Sequence, residues 1–103
     1  MLEANVRVPW AGLDDFARSH PILRLAFFGS VLRDDFGPES DIDILVWLDE
    51  DARISYFALC AMESELCGLF GRKVDLRTPA ELSRYFFDEV IAGCHVFFEA
   101  AGA

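Results

Sequence analysis

The stretch FFGSVLRDDFGPESDIDILVWLDE, Phe27 to Glu50, joins a Gly-Ser pair to two aspartates in the next apolar run. Even positions of DIDILVWL, Asp41 to Leu48, are all apolar, which predicts a β-strand with that face in the core. Asp41 and Asp43 then project from the other face, where their like charges repel. A divalent cation between the carboxylates would offset the repulsion, and magnesium prefers such oxygen ligands. The sequence therefore predicts a metal site at Asp41 and Asp43.

A third carboxylate comes from the segment RKVDLR at residues 72–77. This segment predicts a short strand with Val74 and Leu76 facing the core and Asp75 facing the other way. On a neighbouring strand, Asp75 would complete a two-metal site. Such a site activates an attacking oxygen and stabilises a leaving oxygen in phosphoryl transfer. The alternative interpretation of Asp75 is a surface acid between two basic residues.

The Gly-Ser pair follows the apolar segment ILRLAFF (Ile22 to Phe28), which predicts a buried strand. Gly29 allows a phosphate to approach the backbone closely, and the start of a helix offers free N–H donors. Ser30 adds a hydroxyl donor, and Arg33 lies one turn further on, within reach of the same triphosphate. The alternatives are an ordinary turn and helix cap for the pair and a surface salt bridge for Arg33. Together with the aspartates, the segment predicts a nucleotide site.

The order of elements predicts the fold class. Helices are expected from Pro9 to before Pro21, over 30–35, over 52–70 with a stop at Gly71, and over 79–92. A final short strand is expected at CHVFF, residues 94–98. This alternation predicts one α/β (α+β) domain over residues 1–103. Its mixed sheet would have about four strands, with helices mainly on one face and the acidic face left open as a cleft.

The composition of the chain argues against a nucleic-acid-binding protein and against a membrane protein. The chain has 18 acidic against 9 basic residues and a net charge of −9, which gives no electrostatic footprint for direct nucleic-acid binding. No apolar run approaches the ~20 residues of a membrane-spanning helix, and the N-terminus lacks a signal-peptide pattern. Three cysteines without metal-type spacing are typical of reduced packing residues. We therefore expect a cytoplasmic protein without membrane association.

The Gly-Ser pair, ten intervening residues and the Asp-x-Asp motif resemble the G-S-x10-D-x-D signature of the DNA-polymerase-beta-like nucleotidyltransferase superfamily. The segments GSVLRDDFGPESDIDILV and RKVDLRTP are most similar to minimal nucleotidyltransferase (MNT) domains of prokaryotes. The similarity runs from about Leu25 to Thr78 and implies the polymerase-beta-like fold. Arg33, Asp35 and Ser40 also fall where similar MNT sequences carry those residue types.

The resemblance assigns a role to each site residue. Gly29 and Ser30 correspond to the phosphate-binding pair, and Asp41 and Asp43 to the two main metal ligands. Asp75 corresponds to the third acid and candidate base. Similar MNT domains often act as the antitoxin of a HEPN-domain ribonuclease toxin, and some transfer AMP to a tyrosine of that toxin. The leading hypothesis is therefore a nucleotidyltransferase that uses ATP and two Mg²⁺ ions and has a HEPN toxin as its partner.

Two alternatives remain open. Many similar sequences have Arg-Ala-Arg-Gly after the Gly-Ser pair, whereas residues 31–34 here are Val-Leu-Arg-Asp. The lost arginine and the added Asp34 favour a binding-only antitoxin that neutralises its partner by occlusion. The intact set of three acids argues against that hypothesis. A small-molecule nucleotidyltransferase ranks last because the chain lacks an obvious substrate domain, unless a homo-oligomer supplies one.

Overall fold

A computed structural model describes residues 6–33, 36–49, 51–82 and 84–100, with the side chains of 30 and 84–87 outside the description. Within these residues there are four strands, three α-helices and two 3₁₀ turns. In chain order these are α1 (Trp10–Ser19), β1 (Ile22–Phe28), the 3₁₀ turn Gly29–Leu32, β2 (Ile42–Leu48), α2 (Tyr56–Phe70), β3 (Val74–Arg77), the 3₁₀ turn Pro79–Glu81, α3 (Arg84–Gly93) and β4 (His95–Glu99).

The strands form one mixed sheet in the order β3-β2-β1-β4. β1 is antiparallel to both β2 and β4, and β2 is parallel to β3. The predicted four-stranded mixed sheet is therefore confirmed. Its parallel pair matters most for the site, because Ile42 pairs with Val74 and Asp43 with Asp75.

The core lies between one face of this sheet and the helices α1 and α2. On β2, the even residues Ile42, Ile44 and Val46 are fully buried, as the alternation predicts. The helices pack against the sheet through apolar residues that are buried, namely Leu13, Phe16 and Ala17 of α1 and Met62 and Leu66 of α2. Among the described helices, none has the length and apolar character needed to cross a membrane.

On the opposite face of the sheet, the paired strands β1 and β2 are apolar in the middle and carry a charged residue toward each end. Ala26 and Leu45 are register partners on this face, and both are fully buried. Beyond them, the guanidinium of Arg24 lies 5.3 Å from the ring centroid of Trp47. On β2, the acidic end of this face is the one that carries Asp43, whereas at the other end Arg24 forms an ion pair with Glu99 of β4. The acidic part of the β2 face therefore lies at the start of the strand.

The start of α2 differs from its predicted position. The helix begins at Tyr56 rather than at residue 52, because the Ser55 hydroxyl accepts a hydrogen bond from the Ala58 N–H at 3.1 Å. The helix ends as predicted at Gly71, whose φ is 69°. Phe57, in the first turn of this helix, lies outside its buried stripe, since the side chain is 83% exposed.

Two predicted helices are shorter than expected. The described part of the segment after β1 is a single 3₁₀ turn, Gly29–Leu32, in which Val31 is fully buried. The helix predicted over 79–92 is divided, because Leu82 adopts an extended conformation between Pro79–Glu81 and α3. The capping box expected at its start is present, and the Thr78 N–H donates to Glu81 Oε2 at 3.3 Å.

Candidate active site

Gly29 lies where β1 ends and the 3₁₀ turn begins, and its φ is +72°. An L-residue rarely adopts this left-handed conformation. A Cβ atom at this position would also collide with Oδ2 of Asp43. The collision follows from the register, since the preceding residue Phe28 pairs with Asp43. The conformation therefore favours glycine here, and a larger residue would have to displace the Asp43 carboxylate.

Asp43 and Asp75 are direct neighbours on β2 and β3. Partners in a parallel pair project from the same face, and adjacent strands are about 4.8 Å apart. Both residues are partly exposed, so solvent and ligands reach the carboxylates. Gly29, Asp43 and Asp75 consequently form a row across three adjacent strands, and the structure brings together these three predicted site residues.

Asp41 lies just before β2, where the Ile42 N–H donates to the Lys73 carbonyl at 3.0 Å. Its carboxylate contacts Lys73, with Nζ and Oδ2 3.6 Å apart. The side chains are 69% exposed for Lys73 and 36% exposed for Asp41. Ion pairs of this kind contribute little in water, typically less than about 1 kcal/mol. The contact therefore leaves the Asp41 carboxylate accessible to a more strongly charged ligand.

The remaining predicted residues lie along residues 30–35. The Ser30 side chain, Asp34 and Asp35 are outside the described part of the chain, while Arg33 is exposed. Val31 is fully buried in the hydrophobic core. Position 31 is where many similar sequences carry arginine, and in this chain it packs the turn against the sheet. The altered residue thus has a structural role.

The acidic residues suit magnesium by their chemistry. Within the described residues, no three His, Cys, Asp or Glu side chains are grouped so that they alone would hold a metal ion. Mg²⁺ usually retains several waters and is bound through one or two carboxylates together with substrate phosphates. Asp43, which lies against the turn at Gly29, and Asp41 two residues before it would fit this shared mode of binding.

A cavity of about 160 Å³ adjoins Asp75 on the outer side of β3. Tyr56, Cys60 and Glu63 of α2 form one wall, and Arg77 contributes to the other. A side-chain hydrogen bond with Cys60 raises the pKa of Tyr56. Sequence reasoning missed Tyr56 because nothing in a helical apolar pattern indicates which residue faces the end of a distant strand.

Arg72 was also missed. It follows α2, yet its Nη2 atom lies 2.8 Å from the Gly37 carbonyl and 2.6 Å from the Ser40 carbonyl. The turn that it contacts is closed internally, since the Gly37 N–H donates to Ser40 Oγ and the Ser40 N–H donates to the Gly37 carbonyl, both at 3.1 Å. This turn leads directly into Asp41. Only its position before the strand that carries Asp75 could have drawn attention to Arg72.

Fold and site together define a nucleotidyltransferase domain. Residues 12–96 match the family model described as nucleotidyltransferase domain, and the chain belongs to this family. The matched range contains every predicted site residue. No curated protein matches the sequence significantly.

Solved structures share this fold. One, classed as a minimal nucleotidyltransferase, is 26% identical over 87% of this chain and 87% of its own, with a TM-score of 0.68. A toxin–antitoxin structure with AMP-PNP is 18% identical over 88% of this chain and 73% of its own, with a TM-score of 0.71. A complex of an MNT antitoxin with a tri-AMPylated HEPN toxin from Shewanella oneidensis is 19% identical over 97% of this chain and 74% of its own, with a TM-score of 0.65. The predicted fold and family are confirmed.

Proposed function

We propose that this protein is a magnesium-dependent nucleotidyltransferase that transfers AMP from ATP to a tyrosine of a HEPN-domain toxin and thereby acts as its antitoxin. The row of Gly29, Asp43 and Asp75 across β1, β2 and β3 is the observation that carries the proposal. In this proposal, Gly29 contributes to the phosphate site, Asp43 is a metal ligand and Asp75 is the base. Membership in the nucleotidyltransferase family supports the same chemistry.

The nucleotide binds at the Gly29 end of the row. Gly29 has no Cβ, so the Asp43 carboxylate lies directly against its backbone, beside the proposed phosphate site. Ser30 and Arg33 donate hydrogen bonds to phosphate oxygens. Asp41 and Asp43 would hold magnesium, which would supply neutralisation of the phosphate charge and stabilisation of the leaving oxygen. The contact of Asp41 with Lys73 is exposed and weak, so it would not keep the carboxylate from acting as a ligand.

The acceptor tyrosine enters from the β3 side of the row, through the cavity next to Asp75. Asp75 accepts the proton of the tyrosine hydroxyl as its oxygen attacks the α-phosphorus. The new bond joins the tyrosine oxygen to that phosphorus, and the bond to the β-phosphate oxygen breaks. The products are O-adenylyl-tyrosine and pyrophosphate. The acceptor and the leaving group thus use opposite ends of the row.

The proposed partner agrees with two further observations. Structural neighbours include a complex between an MNT antitoxin and a HEPN toxin, which motivates the choice of partner. The net charge of −9 favours association with a basic protein. The three cysteines are free thiols, in agreement with the proposed cytoplasmic location.

Titration calorimetry of ATP tests the nucleotide half of the proposal. Wild-type protein is expected to bind ATP only with Mg²⁺, and the double variant Asp41→Asn/Asp43→Asn should lose this binding. Asp15→Asn/Asp51→Asn is the matched control, since it removes two exposed carboxylates elsewhere on the surface. Magnesium-independent binding, or equal loss in both double variants, would contradict the proposal.

Mass spectrometry of a co-expressed HEPN toxin tests the transfer half. With wild-type protein, one toxin tyrosine should gain the mass of an adenylyl group, and Asp75→Asn should abolish the gain. An unmodified toxin that is nevertheless inhibited would instead support occlusion. The burial of Val31, where similar sequences carry arginine, is the observation that favours this second candidate.

A further inference from the structure

We infer that Arg72 is a positioning residue for the metal site: it fixes the turn at residues 36–40 and thereby holds Asp41 beside Asp43. The inference rests on the proposed function, because the purpose of the positioning is magnesium binding. The effect of Arg72 is transmitted through the backbone that precedes Asp41.

The contacts of Arg72 converge on one short segment of chain. Its Nη2 atom lies 2.8 Å from the Gly37 carbonyl oxygen, 3.1 Å from that of Pro38 and 2.6 Å from that of Ser40. The guanidinium also lies over the Phe36 ring, 4.5 Å from its centroid. A planar cation thus binds both the carbonyls and the aromatic ring of the turn.

Two adjacent residues, Arg72 and Lys73, hold the backbone on both sides of Asp41. Ser40 immediately precedes Asp41 and is held by Arg72. Ile42 immediately follows Asp41, and its N–H donates to the carbonyl of Lys73. Adjacent residues of the α2–β3 connection therefore hold the backbone before and after Asp41. The position of the carboxylate relative to Asp43 is set by this pair of anchors.

A lysine at position 72 would not reproduce the contacts of Arg72 with the turn. A guanidinium is planar and presents several N–H donors in a fixed geometry, whereas an ammonium group is a compact point charge. The guanidinium can also stack flat on the Phe36 ring, which an ammonium group cannot do. If Arg72 acts through geometry, Arg72→Lys should behave like Arg72→Gln. If it acts through charge, Arg72→Lys should behave like the wild type.

If Arg72 is removed, the loss of its charge and the loss of its positioning role have opposite effects on the affinity for Mg²⁺. Removing a cation makes this acidic region more negative and, by charge alone, strengthens Mg²⁺ binding. Loss of an outer residue that orients a metal ligand weakens metal binding, by about 10-fold to 100-fold in known metal sites. A purely structural role would lower thermal stability and leave the magnesium dependence unchanged.

The experiment compares wild type, Arg72→Gln and Arg72→Lys, with Arg18→Gln as control. Arg18 is an exposed arginine whose ion pair lies within α1. Calorimetry with AMP-PNP at a series of Mg²⁺ concentrations gives the half-saturating Mg²⁺ concentration. NMR amide exchange at Gly37 and Ser40 reports the order of the turn independently of nucleotide, with Leu25 and Val46 as reference amides in the sheet.

Both Arg72 variants are expected to need about 10-fold more Mg²⁺, and the two turn amides should exchange roughly 10-fold faster or more. Arg18→Gln should match the wild type in both measurements. Unchanged exchange at Gly37 and Ser40, or an unchanged or lower Mg²⁺ requirement, would overturn the positioning role. Failure of the wild type itself to bind AMP-PNP with Mg²⁺ would overturn the proposed function and, with it, this inference.

Discussion

Gly29 and Asp43 are packed so closely that a methyl group on residue 29 would occupy the space of the Asp43 carboxylate oxygen. The proposed phosphate turn and the proposed metal ligand therefore lie directly against each other. Asp43 also pairs with Asp75 on β3, so the turn adjoins one acid and is one strand away from a second. Substitution of Gly29 should consequently affect the site more than the fold.

Gly29→Ala is expected to abolish magnesium-dependent ATP binding, since the methyl group displaces Asp43. Strain from a left-handed alanine should also lower the free energy of unfolding by about 1–2 kcal/mol. Gly71→Ala is a matched control, because Gly71 has a φ of 69° and a Cβ added there would meet no atom of the described residues within 4 Å. Urea denaturation and calorimetry of ATP binding measure the two effects.

The control isolates the contact with Asp43. Gly71→Ala should show a similar loss of stability and normal ATP binding, because it introduces strain without a collision, and amide exchange at Gly37 and Ser40 checks that the neighbouring Arg72 keeps its contacts. Normal ATP binding by Gly29→Ala would show that the Asp43 carboxylate tolerates displacement or is not a ligand.

Asp43→Asn and Asp75→Asn should separate binding from transfer. Asp43→Asn removes a magnesium ligand and is expected to weaken AMP-PNP binding in the presence of Mg²⁺. Asp75→Asn should leave this binding near the wild-type level and lower the rate of adenylyl transfer by about 10²–10⁴-fold, the contribution of a general base. Calorimetry and the rate of transfer to the toxin measure the two quantities, with Asp15→Asn as control. Equal effects of both variants on binding would contradict the assignment of Asp75 as base.

Ser55→Ala should lower the free energy of unfolding by about 1 kcal/mol, because the Ser55 hydroxyl accepts the hydrogen bond that caps α2. Ser19→Ala is the comparison, since Ser19 Oγ donates to the Asp15 carbonyl at the exposed end of α1. We expect this second change to have little effect on stability. Urea denaturation of both variants provides the measurement, and equal stability of the two would argue against the later start of α2.

Tyr56 should ionise above its ordinary pKa of 10.0, because the hydrogen bond with Cys60 favours the neutral phenol. This contribution to stability is present below the ordinary ionisation range and is lost as pH rises through the raised pKa. Absorbance at the phenolate band in a Tyr85→Phe background isolates Tyr56, as the chain has two tyrosines. Cys60→Ala should lower the measured pKa. No difference between the two titrations would show that the hydrogen bond does not form.

The site was predictable where it depends on local periodicity. Alternation along single strands places Asp43 and Asp75 opposite the core, and the register confirms that they are neighbours. The anchoring of the turn before Asp41 was not predictable, because Arg72 and Ser40 are 32 residues apart. A contact of this range depends on the parallel pairing of β2 with β3, and sequence periodicity carries no information about it.

The two ends of α2 also differ in whether local sequence signals determine them. The end of α2 was predictable from Gly71, because a left-handed residue has a strong glycine preference. The start was not, since both the acidic segment before residue 52 and Ser55 are suitable caps, and the choice between them depends on tertiary packing.

β3 is an edge strand, yet its outer edge is partly closed to other chains. The Leu76 N–H donates to Glu63 Oε2 at 2.8 Å, so a helix side chain already occupies the position where an added strand would pair. A protein that reaches Asp75 therefore cannot simply extend the sheet at this point. Under the proposed function, the toxin would instead project its tyrosine into the cavity, from a loop or a chain end. Recognition of the toxin by addition of a β-strand to this edge is disfavoured.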